Sequence, residues 1–94
     1  MPANEKIIVL SHTIQPGATN GWVWNNPVFE ATHTFAALPH NLTASSGSWN
    51  SLEVRNVRCE EQAGTGKRRI AYEVHNPTTF TINYEIHMGW ITQT

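Results

Sequence analysis

Phe80-Thr81-Ile82-Asn83-Tyr84-Glu85-Ile86-His87-Met88-Gly89-Trp90 places a large apolar side chain at every even position, with polar or small ones between. A β-strand turns successive side chains to opposite faces. This segment therefore reads as an extended strand with one face in a core and the other in water. Upstream, Ile70, Tyr72 and Val74 repeat the alternation, and His75-Asn76-Pro77-Thr78-Thr79 between the two runs reads as a hairpin loop. Matching the apolar faces sets Val74 opposite Phe80, Tyr72 opposite Ile82 and Ile70 opposite Tyr84. That register brings Arg69 opposite Glu85 on the wet face, a favourable cross-strand pair.

Trp49 to Glu61 threads onto the same ribbon through the turn Ala63-Gly64-Thr65-Gly66. Cys59 then falls opposite Ile70, Val57 opposite Tyr72 and Glu60 opposite Arg69, so a ladder Glu60–Arg69–Glu85 is expected across a three-stranded meander. The apolar phase shifts between Val54 and Val57, which a bulge near Arg55-Asn56 explains. Towards the N-terminus, Lys6–Ile14, Gly21–Trp24 and Val28–Ala37 read as three further strands. Gln15-Pro16-Gly17 forms a turn after the first, and Asn25-Asn26-Pro27 breaks the second from the third. Residues 39–48 read as loop and residues 1–5 as a loose tail before a single domain spanning 6–94. One open sheet would leave the meander's apolar face wet, so a second layer is needed. The fold expected is a small antiparallel β-sandwich of about five to seven strands, with a small closed β-barrel as the alternative.

Composition narrows the function. Net charge is −1 and the only basic run is Lys67-Arg68-Arg69, which excludes an extended footprint for nucleic acid. No run approaches the roughly 20 apolar residues that insert into a membrane as a helix. Ile7–Leu10 is also too short for a signal-peptide core. Cys59 is the lone cysteine, so no intrachain disulfide forms and a reducing cytoplasm is the default location, with non-classical secretion left open.

Catalytic and metal motifs are missing. The five histidines show no His-x-His or His-x₃-His spacing, and no metal or cofactor is expected. His12 and His33 share the phase of their strands' apolar residues and could face one another across the N-terminal strands. His75 and His87 fall on polar faces, and His40 in a loop. Cys59 shares the phase of core residues and reads as buried. Gly64-Thr65-Gly66-Lys67 lacks the spacing of a phosphate loop and precedes a strand. The chain therefore reads as a non-enzyme.

Four tryptophans in 94 residues are the main anomaly. Trp90 is in phase with the core. Trp22 and Trp24 share one face of a strand running into Asn25, and Trp49 is followed by Asn50. Indole faces stack on the C–H faces of sugars while amides read hydroxyls, so Trp22, Trp24, Asn25, Trp49 and Asn50 are the candidate ligand-binding residues. The competing reading has Trp22 and Trp24 capping one end of the core. The final strand, Thr81–Thr92 with Trp90-Ile91-Thr92, resembles the last strand of the H-type lectins. These are six-stranded sandwiches that bind N-acetylgalactosamine as trimers. Their internal Asn-Val-Thr motif followed by Gly-Phe appears here only as Asn56-Val57-Arg58, so no binding residue carries over. The resemblance implies a lectin-like binding module assembled as a homo-oligomer. The alternative is a structural or accessory domain that meets a protein partner, or its own copies, through aromatic surface or strand edges.

Overall fold

The computed structural model describes residues 3–25, 31–40, 47 and 49–92. Among them run β1 (Ala3–Ile14), β2 (Thr19–Asn25), β3 (Ala31–Pro39), β4 (Glu53–Glu61), β5 (Arg68–His75) and β6 (Ile82–Thr92). They form two antiparallel three-stranded sheets, β1-β6-β3 and β2-β5-β4, which pack as a small sandwich and not as a closed barrel. The strand expected at Val28–Ala37 is β3, shifted to Ala31–Pro39; residues 26–30 lie outside the described residues. β1 starts earlier than expected. Ala3, Asn4 and Glu5, assigned to the tail by sequence, pair with Ile91, Trp90 and Gly89 of β6.

The three-stranded meander does not form. β5 and β6 are the central strands of opposite sheets, so His75–Thr79 is an arch between layers and not a hairpin. Tyr72 and Val74 meet the inward residues of β6 across the core, not beside them in a ladder, and Ile70 is buried on the same face of β5. Arg69 and Glu85 consequently point away from opposite sides of the sandwich, and their pairing is lost. Alternation marks which side chains seek the core, and two facing strands satisfy it as well as two neighbouring ones do.

The β4–β5 hairpin does form, with Cys59 opposite Ile70 and Glu60 opposite Arg69. The bulge falls between Arg55 and Arg58, with Asn56 at φ 55°, so Asn56 and Val57 together oppose Tyr72. Trp49–Leu52 stays outside the strand, which begins at Glu53. Cys59 is exposed, contrary to the buried position expected of it. It lies opposite Ile70 on an edge strand, where no further strand of its sheet covers it. Similarly, two bulges in β1 turn Leu10 outward, leaving it 78% exposed.

The core is built where the two central strands cross: Tyr72 and Val74 of β5 against Ile82, Tyr84 and Ile86 of β6, closed at one end by Ile14. Phe35 of β3 stacks on Tyr72 with centroids 4.2 Å apart. Burial, together with nearby Tyr84, pushes the Tyr72 phenol up to about 12.

Asn76, fully buried, ties the two inter-sheet arches together. Its backbone N–H donates to Ala18 O at 3.0 Å and its carbonyl accepts from Gly17 N at 2.9 Å. Its side-chain amide donates towards the carbonyls of Ile14, Gln15 and Phe80 at 3.3, 3.2 and 2.6 Å. Its Oδ1 accepts from Thr78 N and Oγ1 at 2.9 and 2.6 Å. Strand ends at an arch leave backbone groups without ladder partners, and this one side chain supplies several.

Candidate functional site

The candidate binding residues divide between two ends of the second sheet. β2 pairs with β5 so that Trp22 lies opposite Tyr72, Trp24 opposite Ile70 and Asn25 opposite Arg69. Trp49 and Asn50 enter β4 from the other end, where Glu53 pairs with His75. Ile70 and His75 are five positions apart on β5, about 17 Å at strand spacing. The five residues are therefore not one constellation.

Trp22 and Trp24 both turn inward and are half-buried. The Trp22 indole N–H donates to the Tyr84 hydroxyl at 3.0 Å, and the Asn20 amide donates to the same oxygen at 3.0 Å. The His12 ring meets Trp22 edge-on at 4.9 Å. Trp22 thus packs against the core while remaining partly exposed. Trp24 carries Lys6 Nζ 5.2 Å from its ring centroid, and its Nε1 is buried without a hydrogen-bond partner. Trp90, expected to be buried, is half-buried beside His33. Trp49 is 91% exposed.

His12 and His33 do not meet. They lie on the two strands flanking β6, opposite Tyr84 and Trp90 respectively, so six positions of β6, about 20 Å, separate them along the sheet. Among the described residues no three His, Cys, Asp or Glu side chains are placed to hold a metal ion.

Asn25 lines a concavity. A polar cleft of about 440 Å³ opens at the β4–β5 turn, with Asn25, Glu60, Glu61, Gln62, Lys67, Arg68 and Arg69 on its walls. Its volume lies within the roughly 300–1,000 Å³ typical of small-ligand sites. The turn is shaped by Gly64 and Gly66 at φ 87° and 71° and closed by Gln62 N–H donating to Lys67 O at 2.8 Å. On the floor, Arg69 Nε donates to Glu60 Oε1 at 2.7 Å, and Arg58 Nε lies 3.3 Å from Glu60 Oε2. The hydrogen bond from Arg69 leads in holding the Glu60 carboxyl below its usual range. Arg68 and Glu61 make a looser pair at 3.9 Å. Both oxygens of Glu60 thus face a guanidinium, which fixes the carboxylate as an ionised acceptor rather than a proton donor. Glu61, next in sequence, also lines the cleft.

The Glu60–Arg69 contact was readable from the β4–β5 register. The approach of Asn25 was not, because it depends on β2 joining β5, a pairing between distant segments. Comparison with protein-family models, curated proteins and solved structures finds no match to this chain. The likeness of the final strand to the H-type lectins stands on the residues quoted for it alone.

Proposed function

We propose that the chain is a non-catalytic binding module whose site is the cleft at the β4–β5 turn, and that its ligand is a hydroxyl-rich molecule of the carbohydrate class. The observation that carries this reading is the placement of the Asn25 amide beside the braced Glu60–Arg69 pair. Sugar hydroxyls both donate and accept. They are read by rigid planar groups offering both functions, and an amide, a carboxylate and a guanidinium within one cleft supply that set. The proposal thus moves the centre of the site from the indoles to the cleft. Trp22 has a core role, and Trp49 and Asn50 stand at the far end of the sheet.

Isothermal titration against sugars selected on a glycan array tests this. Wild type should bind, and Asn25→Ala, at an exposed position, should lose about tenfold in affinity with unchanged stability. Absence of binding to any sugar would dispose of the reading, as would an Asn25→Ala variant that binds like wild type.

A second reading is self-association, favoured by exposed Trp49 and Leu10 and by the elongated outline. The radius of gyration is 15.1 Å, against about 12 Å for a compact chain of this length. Assembly of copies would bury apolar surface that the thin core leaves outside. Sedimentation of wild type and Trp49→Ala decides this point: a shift of the variant to smaller species supports it, and two identical monomers reject it.

A further inference from the structure

A row of four ionisable side chains crosses the outward face of the first sheet. Glu5 of β1 meets His87 of β6, Oε1 to Nδ1, at 2.9 Å. The other ring nitrogen of His87 lies 3.3 Å from Glu85 Oε1, and that same oxygen is 2.9 Å from Nε2 of His40, just past β3. His87 and Glu85 are about four-fifths buried, with side-chain exposures of 20% and 19%. The Nε2 atom of His87 is buried without a hydrogen-bond partner, so its interaction with Glu85 is coulombic.

A neutral imidazole has one N–H and one lone pair. Here either neutral tautomer turns its lone pair towards a carboxylate: towards Glu85 if Nδ1 carries the hydrogen, towards Glu5 if Nε2 does. Only the imidazolium avoids setting a ring lone pair against one of the two carboxylates. β3 contributes no charge beside the ring, since its outward positions there are Thr34, Ala36 and Leu38. From β1 the outward neighbours are Glu5 and Ile7, while Lys6 lies on the inner face over Trp24.

The strand that His87 holds is a separate piece. Bulges interrupt the β1–β6 ladder between Ile7 and Val9 and again between Val9 and His12, so Ala3–Ile7 forms its own short ladder with Ile91–His87. We propose that Ala3–Ile7 is a releasable edge strand whose hold on β6 depends on a proton on His87. Loss of that proton as pH rises frees this short ladder while the rest of β1 stays paired. The hydrogen bond to Glu5 leads in raising the His87 pKa above its ordinary 6.5, against the opposing effect of burial. A group raised on folding contributes stability below its unfolded pKa, and that contribution disappears as pH climbs through the folded value. The hydrogen bond from His40 leads in lowering Glu85, which keeps its carboxylate ionised through the same window.

Amide hydrogen exchange at pH 6 and pH 8, expressed as protection factors, tests the proposal. Protection of Ala3–Ile7 should fall about threefold or more on going to pH 8, while the β5 amides stay constant. Glu5→Gln and His87→Gln should each remove that pH dependence. Glu5 is mostly exposed, so its variant decides the matter even if the His87 variant folds poorly. Equal protection of Ala3–Ile7 at the two pH values would overturn the proposal. So would an undiminished pH dependence in Glu5→Gln, or an imidazole titration of His87 at or below 6.5.

Discussion

Replacing Asn76 by alanine removes the amide that faces the carbonyls of Ile14, Gln15 and Phe80, and the oxygen that accepts from Thr78. The backbone bonds of residue 76 to Gly17 and Ala18 remain, so the loss is confined to the side chain. A buried polar group left without a partner costs about 1–3 kcal/mol. Gln15 and Thr78 lie near the surface and regain water, which leaves two or so groups stranded and a net loss of about 2–6 kcal/mol. A domain of this length has a total stability of about 5–14 kcal/mol, and its midpoint shifts by about 4–8 °C per kcal/mol. Urea unfolding followed by tryptophan fluorescence, with thermal scanning beside it, measures the loss directly.

The isosteric Asn76→Asp variant sharpens the test. Its carboxylate has no hydrogen to offer, and the carbonyl oxygens that faced an amide N–H now face a negative charge. Near pH 7 this variant should therefore be less stable than Asn76→Ala, despite filling the same space. Burial among carbonyls raises the folded pKa of an aspartate there, so its stability should recover as pH falls and fade as pH rises through that value. An aspartate variant at least as stable as the alanine variant at neutral pH would refute the reasoning, since hydrogen-bond donation by the Asn76 amide would then not be what joins the arches.

Three further outcomes are expected. Tyr84→Phe deprives the Trp22 indole and Asn20 amide of their shared acceptor and should lower unfolding free energy by about 1–2 kcal/mol, read from urea midpoints at constant slope. Gly64→Ala meets no atom within 4 Å but holds φ 87°, so a backbone cost of about 1 kcal/mol should appear without any packing defect. Cys59 should react fully with an aromatic disulfide reagent in the folded protein, at a rate close to that in denaturant, because it is exposed.

Period-two alternation was enough to establish strands in this chain and to pick out Tyr72, Val74, Ile82, Tyr84 and Ile86 as core residues, all of which are buried. Local sequence also located the β4–β5 turn and its neighbouring bulge, because glycines and a change of apolar phase are short-range signals. What it left undetermined was the partner of each strand. The arch at Asn76, the loss of the Arg69–Glu85 pair, the arrival of Asn25 beside Glu60, and the Glu5–His87–Glu85–His40 row all follow from which strands became neighbours. The local hint of that row, Glu85 and His87 two apart, gives no sign of Glu5 or His40. Alternation records a side chain's preference for oil or water, which depends on its own chemistry. Pairing depends on the summed contacts of segments far apart in the chain, and only the folded sandwich decides it.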